Sequence, residues 1–436
     1  MEIKPFKAFR FNENKVGGAG NCIAPPYDVI SSAQQEQLYQ KSEYNIVRII
    51  KGEKKPCDND NNNQYTRAAN YLNSWIEKAA LKQDPAESIY TYVQDFELAG
   101  ASFRRLSFVA LAKLEEFGKI VRPHEQTLNK PKIDRLNLKR ATAATFGLVF
   151  MLYEDKENIA DRIIEKNINP KPLIDFTDEQ NVRHRLFAII DKADIEKIVK
   201  MMNNKTCIIA DGHHRYETGL IYSKETDNSD TKYQMIALCN TRHDGLIVLA
   251  THRLVGNLED FNMDDLLAGL KENFEITEYQ FDSSQSNTAA KQKMLTQMKV
   301  EYNRNKNTFG IYSGGSSFYV AILKNEKAMD NAVPNMSAAW RSLDVSVLHK
   351  LILEKLLGID EEKLAKGENI KYIKSSGDKI DELITNVASG REQVVFFMNP
   401  PRIKQIQMVA DEGERMPQKS TYFYPKVYTG LTINKL

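Results

Sequence analysis

The residues best suited to chemistry are gathered in Cys207-Ile-Ile-Ala-Asp-Gly-His-His-Arg-Tyr-Glu217. Cys207 to Ala210 have the length and apolar character of a short core strand, and Gly212 lets the backbone turn sharply into a helix. Asp211 is expected at that helix's N-cap. The first turn of such a helix presents unpaired N–H groups and the positive end of the macrodipole, and His213, His214 and Arg215 add side-chain donors there. An anion, above all a phosphate, suits this arrangement. The plainer alternative is a helix start whose polar residues face water.

A second cluster is Val121-Arg-Pro-His-Glu-Gln-Thr127. Pro123 ends a short strand, His124 beside Glu125 offers a general base with a charge partner, and Arg122 could hold an anion; otherwise the segment, Thr127 included, is an ordinary polar strand exit. Asp28 is held by the Pro-Pro turn of Ala24-Pro-Pro-Tyr-Asp28, where two φ angles are fixed. Thr251-His252-Arg253 is read as the end of a hairpin strand, either converging on a cleft or forming a solvated pair. In the tail, Lys419, Ser420 and Thr421 could contact phosphate oxygens, with an edge strand as the alternative. His184, inside the basic run 183–185, is taken as a surface residue.

The histidines and carboxylates do not fall at metal-ligand spacings. His213 and His214 would point about 100° apart on a helix, so no resident metal is expected and a nucleotide-bound Mg2+ is preferred. No P-loop, dinucleotide fingerprint or nucleophile elbow occurs.

The elements that must position these residues follow from periodicity. Strands are expected at 46–50, 88–98, 104–114, 119–121, 145–153, 186–190, 207–210, 308–312, 317–323 and 393–398. Tyr233 to Asn240 and Leu246 to Leu254 read as a hairpin across Arg242-His-Asp-Gly245. Helices are expected at 65–80, with Trp75 in the core, and at 156–166, 193–202, 263–273, 289–302 and 345–357. This is an α/β (α+β) pattern with a mixed sheet. A boundary near Gly256 would separate an N-terminal domain, 1–256, from a C-terminal α/β domain, 257–436, whose tail packs back towards the site.

Across 436 residues, Lys plus Arg number 60 and Asp plus Glu 58. That near-balance argues against nonspecific nucleic-acid binding. The charged N-terminus and the lack of a long apolar run point to a cytoplasmic protein without a membrane partner, and Cys22, Cys57, Cys207 and Cys239 have the spacing of reduced thiols.

Five motifs, Ala24-Pro-Pro-Tyr-Asp-Val-Ile30, Arg122-Pro-His-Glu-Gln-Thr127, Ala210-Asp-Gly-His-His-Arg-Tyr-Glu217, Thr251-His-Arg-Leu254 and Met416-Pro-Gln-Lys-Ser-Thr-Tyr-Phe-Tyr-Pro-Lys426, together resemble a widespread prokaryotic family of unknown function, numbered ten-fifteen. More distantly, Asp-Gly-His-His-Arg followed by a helix looks like the phosphate-binding box of the ParB and sulfiredoxin superfamily, which includes free serine kinases. The resemblance implies that Gly212, His213, His214 and Arg215 hold nucleotide phosphates. His213 stands where sulfiredoxin has its reactive cysteine, which removes sulfinic-acid repair.

Members of the unknown-function family are often encoded beside serine-biosynthesis enzymes, so the resemblance also points to serine or phosphoserine. The expected function is then phosphoryl transfer or phosphoester chemistry on a small metabolite, with ATP or ADP and Mg2+. Glu125 would be the base supported by His124, and Asp211 would orient a histidine or the Mg2+ ion. Lys419 and Ser420 would help hold the nucleotide, while Arg122, Asp28, His252 and Arg253 would contact substrate. A nucleotide-binding regulator of ParB type and a metal-dependent phosphatase are the alternatives, and a homodimer is an allowed assembly.

Overall fold

The structure, a computed structural model, describes residues 1–125, 129–375 and 379–436. Its contacts divide into two units. The first takes in Met1–Pro123, 129–247 and Phe423–Leu436; the second holds His124, Glu125 and Val248–Tyr422.

A nine-stranded mixed sheet forms the first unit. Its path runs Val121–Pro123, Cys207–Asp211, Val149–Tyr153, Tyr233–Asn240, Ala101–Lys113, Ile89–Leu98, Arg183–Ile189 and Ile174–Thr177, with Ile3–Lys4 added beside Ala101–Lys113. Two pairings are parallel, Cys207–Asp211 with Val121–Pro123 and Tyr233–Asn240 with Val149–Tyr153; the others are antiparallel. The expected mixed α/β architecture is present. Its centre is the long hairpin of Ile89–Leu98 and Ala101–Lys113, closed by Ala99 and Gly100, both at positive φ, as a two-residue primed turn requires.

Helix Gln64–Glu77 buries Ala68, Leu72 and Trp75, as its apolar spacing predicts, and starts at an Asn63/Thr66 capping box. The tail is tied to this unit by Arg105. That side chain is fully buried, donates to Gln94 Oε1 and to the carbonyls of Tyr424 and Pro425, and lies 4.7 Å over the Phe150 ring. Replacing Arg105 with Met should lower stability by about 2–3 kcal/mol, because three buried acceptors lose a charged donor. The urea midpoint and faster proteolysis of the tail would report it.

The second unit carries an antiparallel sheet ordered Phe274–Gln280, Ser317–Leu323, Thr308–Tyr312, Val394–Phe397, Ala250–Val255 and Ile370–Ser375. Helix Ser284–Asn303 sends Ala290, Met294 and Met298 into a core shared with Leu254, Val320 and Phe397. Gly310 leaves room for this packing, since a Cβ there would come within 2.7 Å of the Met298 sulfur and 2.9 Å of the Met294 sulfur. Among the described residues no helix is long and apolar enough to cross a membrane. Cys22, Cys207 and Cys239 are buried free thiols and Cys57 is an exposed one.

Several local expectations are corrected. The β-branched run at 46–50 is a helical turn, Val47–Ile50. Asn45 accepts from the Val47 N–H at 2.9 Å and donates to the Asn21 carbonyl at 2.7 Å, so local hydrogen bonding overrides strand propensity. The expected 345–357 helix divides into an α-turn, Asp344–Val347, and a π-helical stretch, Leu348–Glu354.

The 233–254 hairpin does not form. Tyr233–Asn240 has both edges occupied by Ala101–Lys113 and Val149–Tyr153, while Ala250–Val255 pairs within the second unit's sheet. Gly245 is needed for a different reason: a Cβ there would lie 2.0 Å from the Arg104 carbonyl oxygen. His184 is not a surface residue either. It is 0 % exposed, with Nδ1 2.6 Å from the Tyr92 hydroxyl and Nε2 3.0 Å from Asp178.

Candidate functional site

Strand Cys207–Asp211 is hydrogen-bonded along both edges, which fixes the point at which it ends. A register shift between Ile209 and Asp211 bends that end, as bulges beside functional sites do. Asp211 closes the strand and does not cap the helix; the N-cap of His213–Glu225 is Gly212, at φ +90°, which supplies no side-chain acceptor. Only glycine adopts this backbone without strain. A Cβ on Gly212 would also come within 2.9 Å of the Arg215 guanidinium.

Arg215 folds back over this turn. One terminal nitrogen donates to the Leu148 carbonyl, and the other lies 3.5 Å from Asp211 Oδ2. Lys426 Nζ, from the tail, reaches the same oxygen at 3.5 Å. Burial alone would raise the Asp211 carboxyl, but Lys426, then Arg215 and His213, outweigh it and hold Asp211 well below the usual carboxylate range. Such a group stays ionised at neutral pH, so it anchors cations and does not shuttle protons. His213 is buried and His214 half-buried in the same first turn.

Beside this turn lies a pocket that opens to solvent. Arg135, Lys139 and Arg215 line it, together with the apolar side chains of Ile50, Leu138 and Phe146. Arg135 stacks 4.0 Å over the ring of Tyr27, another wall residue. Lys139 is 6 % exposed and donates to Gln234 Oε1 at 3.2 Å; burial lowers its pKa to about 8. The Arg215 Nε and the Thr145 hydroxyl, which belong to two of its lining residues, are buried without a hydrogen-bond partner among the described residues. Buried donors in that state cost about 1–3 kcal/mol each.

The remaining sequence-selected residues divide between the units. In the first, Asp28 is exposed in its turn, and Arg122 sits in Val121–Pro123 opposite Ile208, donating to the Gly118 carbonyl at 3.4 Å. In the second, His124 is buried with Nε2 2.7 Å from Thr421 Oγ1 and 3.8 Å from Glu125 Oε2. Glu125 Oε1 accepts the Lys419 backbone N–H, and Met416 bridges back to the same segment. Ser420 is buried and donates to the Pro417 carbonyl. Lys419, Ser420 and Glu125 thus share one cluster, while Asp211, Gly212, His213, His214 and Arg215 share another. Thr127 lies outside the described residues.

His252 and Arg253 occupy the interior of Ala250–Val255 and are 5 % and 1 % exposed, so they are not a solvated strand-end pair. Neighbouring strand residues face opposite ways. His252 packs on Phe397 and accepts from the Met398 N–H, whereas Arg253 lies 5.0 Å over Tyr372.

Sequence reading did not single out Lys426, Arg135, Lys139 or Tyr27. Lys426 and Tyr27 sit within recognisable motifs, which was the only available signal. Arg135 and Lys139, four apart on Asn129–Thr142, share a helix face with an apolar residue, Leu138, between them. Among the described residues no group of three or more His, Cys, Asp or Glu side chains could hold a metal ion.

The fold is a mixed α/β one, and residues 3–346 match the family described as "Protein of unknown function (DUF1015)". The chain belongs to that family. No curated protein matches it by sequence. Similar solved structures include a free serine kinase in complex with AMP, at 14% identity and TM-score 0.35, covering 72% of this chain and 86% of that one. Another is a conserved hypothetical protein from Pyrococcus furiosus, at 14% identity and TM-score 0.32, covering 73% and 92%. A third is SbnI with a C-terminal truncation from Staphylococcus aureus, at 9% identity and TM-score 0.35, covering 75% and 87%.

Proposed function

We propose that the first unit binds the phosphates of a nucleotide and that the protein transfers a phosphoryl group to or from a small metabolite, with serine and phosphoserine as the first substrates to try. The observation that carries this reading is the cavity that joins three cations to an apolar wall at the start of helix His213–Glu225. Phosphate oxygens would be drawn to the Arg215 guanidinium. Arg135 and Lys139 would add charge, and Ile50, Leu138 and Phe146 would face the base. The bound nucleotide would supply or accept the phosphoryl group, with any Mg2+ arriving on its phosphates.

The chain's own residues have separable tasks. Asp211 keeps Arg215 and Lys426 in place, and an ionised anchor of this kind holds donors ready before the ligand arrives. Gly212 leaves the room that the Arg215 guanidinium occupies.

AMP, ADP and ATP, each with and without Mg2+, are expected to raise the melting temperature of the full chain. At about 100 times the dissociation constant the added stability is about 2.7 kcal/mol. Incubation with serine and ATP or ADP should then yield phosphoserine together with ADP or AMP, read by phosphorus NMR. If millimolar nucleotide and phosphoserine leave the melting temperature unchanged, the phosphate reading is wrong. Binding without product would remove only the transfer step.

A further inference from the structure

Lys139 differs from the other two cations that line the first unit's pocket. Arg135 is held by Asp134, whose Oδ2 accepts its Nε–H at 2.8 Å, and Arg215 lies 3.5 Å from Asp211. Among the described residues Lys139 has no carboxylate partner, and its hydrogen bond goes to a neutral acceptor, Gln234 Oε1. An ammonium carries three N–H donors, so the described residues meet one of them at a side chain that is buried. Burying an uncompensated charge is costly, and a lysine escapes that cost by giving up its proton.

The charged groups on the elements packed around Lys139 are engaged elsewhere. On its own helix, Asn129–Thr142, Arg135 is paired with Asp134, and Arg140 with Glu225 of helix His213–Glu225. That second helix also brings Glu217, paired with Lys132, and Tyr222, whose ring lies 5.7 Å from Lys139 Nζ, a weak cation–π distance. From Gln64–Glu77, the Tyr65 hydroxyl donates to Asp134 at 2.9 Å, which occupies that carboxylate further. Strand Tyr233–Asn240 contributes the neutral Gln234. Burial therefore lowers Lys139 to about 8, with no opposite charge to restore it.

We propose that a phosphoryl group enters this pocket together with a proton, which Lys139 takes up and keeps while the ligand is bound. On the phosphate reading, on which this rests, the ligand supplies the negative charge that no described residue gives Lys139, and the ammonium becomes the favoured form. The proton comes from solution and adds to the Nζ lone pair; no bond of the ligand is made or broken. Above pH 8 the free side chain is mostly neutral, so binding must draw in a proton and affinity falls as pH rises.

Isothermal titration of the full chain with AMP and with ADP, at pH 8 and 9 in buffers of low and high ionisation enthalpy, measures the uptake. Phosphate groups with a second pKa of about 6 are already ionised there, so a proton taken up goes to the protein. Uptake should be about 0.5 proton per ligand at pH 8 and about 0.8 at pH 9, with affinity falling about 10-fold between pH 8 and 9.5. Lys139→Met should weaken binding about 5-fold or more at pH 8 and abolish the uptake. Lys139→Arg keeps its charge throughout this range, so it should bind without uptake, and it decides the matter if the Met variant is unstable. Without ligand, wild type should gain stability relative to Lys139→Met from pH 8 to 10, because the folded form gives up a proton that the unfolded chain keeps until about 10.4. Binding without proton uptake, uptake that survives in both variants, or a flat stability difference would each overturn the proposal and leave the phosphate reading standing. Failure of both nucleotides to bind would overturn the two together.

Discussion

Arg215→Ala is expected to weaken nucleotide binding about 10- to 100-fold, the range set by losing a charged hydrogen-bond donor worth about 1.5–3 kcal/mol. The argument is local. Arg215 is anchored at its tip by the Leu148 carbonyl and by Asp211, and its Nε is buried without a partner among the described residues. The side chain is therefore held in place, with its charge beside the pocket, before a ligand arrives. Arg215→Lys keeps the charge but cannot hold Leu148, Asp211 and a phosphate together, so it should fall between wild type and alanine. Isothermal titration with ADP distinguishes the three. An unchanged dissociation constant in Arg215→Ala would place the phosphates elsewhere.

His349→Leu should make the protein more resistant to acid. His349 is 7 % exposed, its Nε2 has no hydrogen-bond partner among the described residues, and burial lowers its pKa from 6.5 to about 3, with Arg253 and Lys350 adding to the effect. A histidine held neutral in the fold but free to protonate when unfolded costs nothing above pH 6.5. As pH falls below that value the unfolded state gains protons that the folded state refuses, so stability drops. By pH 4.5 the loss attributable to this one group is about 3 kcal/mol, at 1.36 kcal/mol per unit.

Leucine removes the penalty. The stability difference between variant and wild type should therefore grow in the variant's favour from pH 6.5 down to pH 4.5. Asp344 works in the opposite direction, since its raised pKa makes the fold gain stability as pH falls from about 7 towards 3.8. It is common to both proteins and cancels in the comparison. Urea titrations at pH 7.5, 5.5 and 4.5 would show the trend; a constant difference would mean that His349 protonates in the folded state.

How much was legible depended on the range of the interaction. The strand-turn-helix at 207–225 was readable because an apolar run, a glycine and a polar helix start are local signals, and the order of strand, turn and helix holds. The cap was misplaced by one residue, since Gly212 takes a left-handed φ that Asp211 would not. The buried state of His184 was also recoverable in principle: Arg183 is exposed and Arg185 half-buried, whereas His184 and Leu186 lie inside, a period of two that the basic run 183–185 disguised.

The sequence by itself determined the mixed α/β class, the helical spacing that puts Trp75 in the core, and the strand, glycine turn and helix start at 207–225. These follow from periodicity, glycine and charge within about a dozen residues. Only the tertiary structure decided the partners. Lys426 meets Asp211 from 215 positions away, and Lys139 meets Gln234 across 95. It alone sent Ala250–Val255 to a second sheet, because the edges of Tyr233–Asn240 were already taken. Such choices are made by burial and by competition for hydrogen-bonded edges, which act over the whole folded chain and leave no mark at any one position of the sequence.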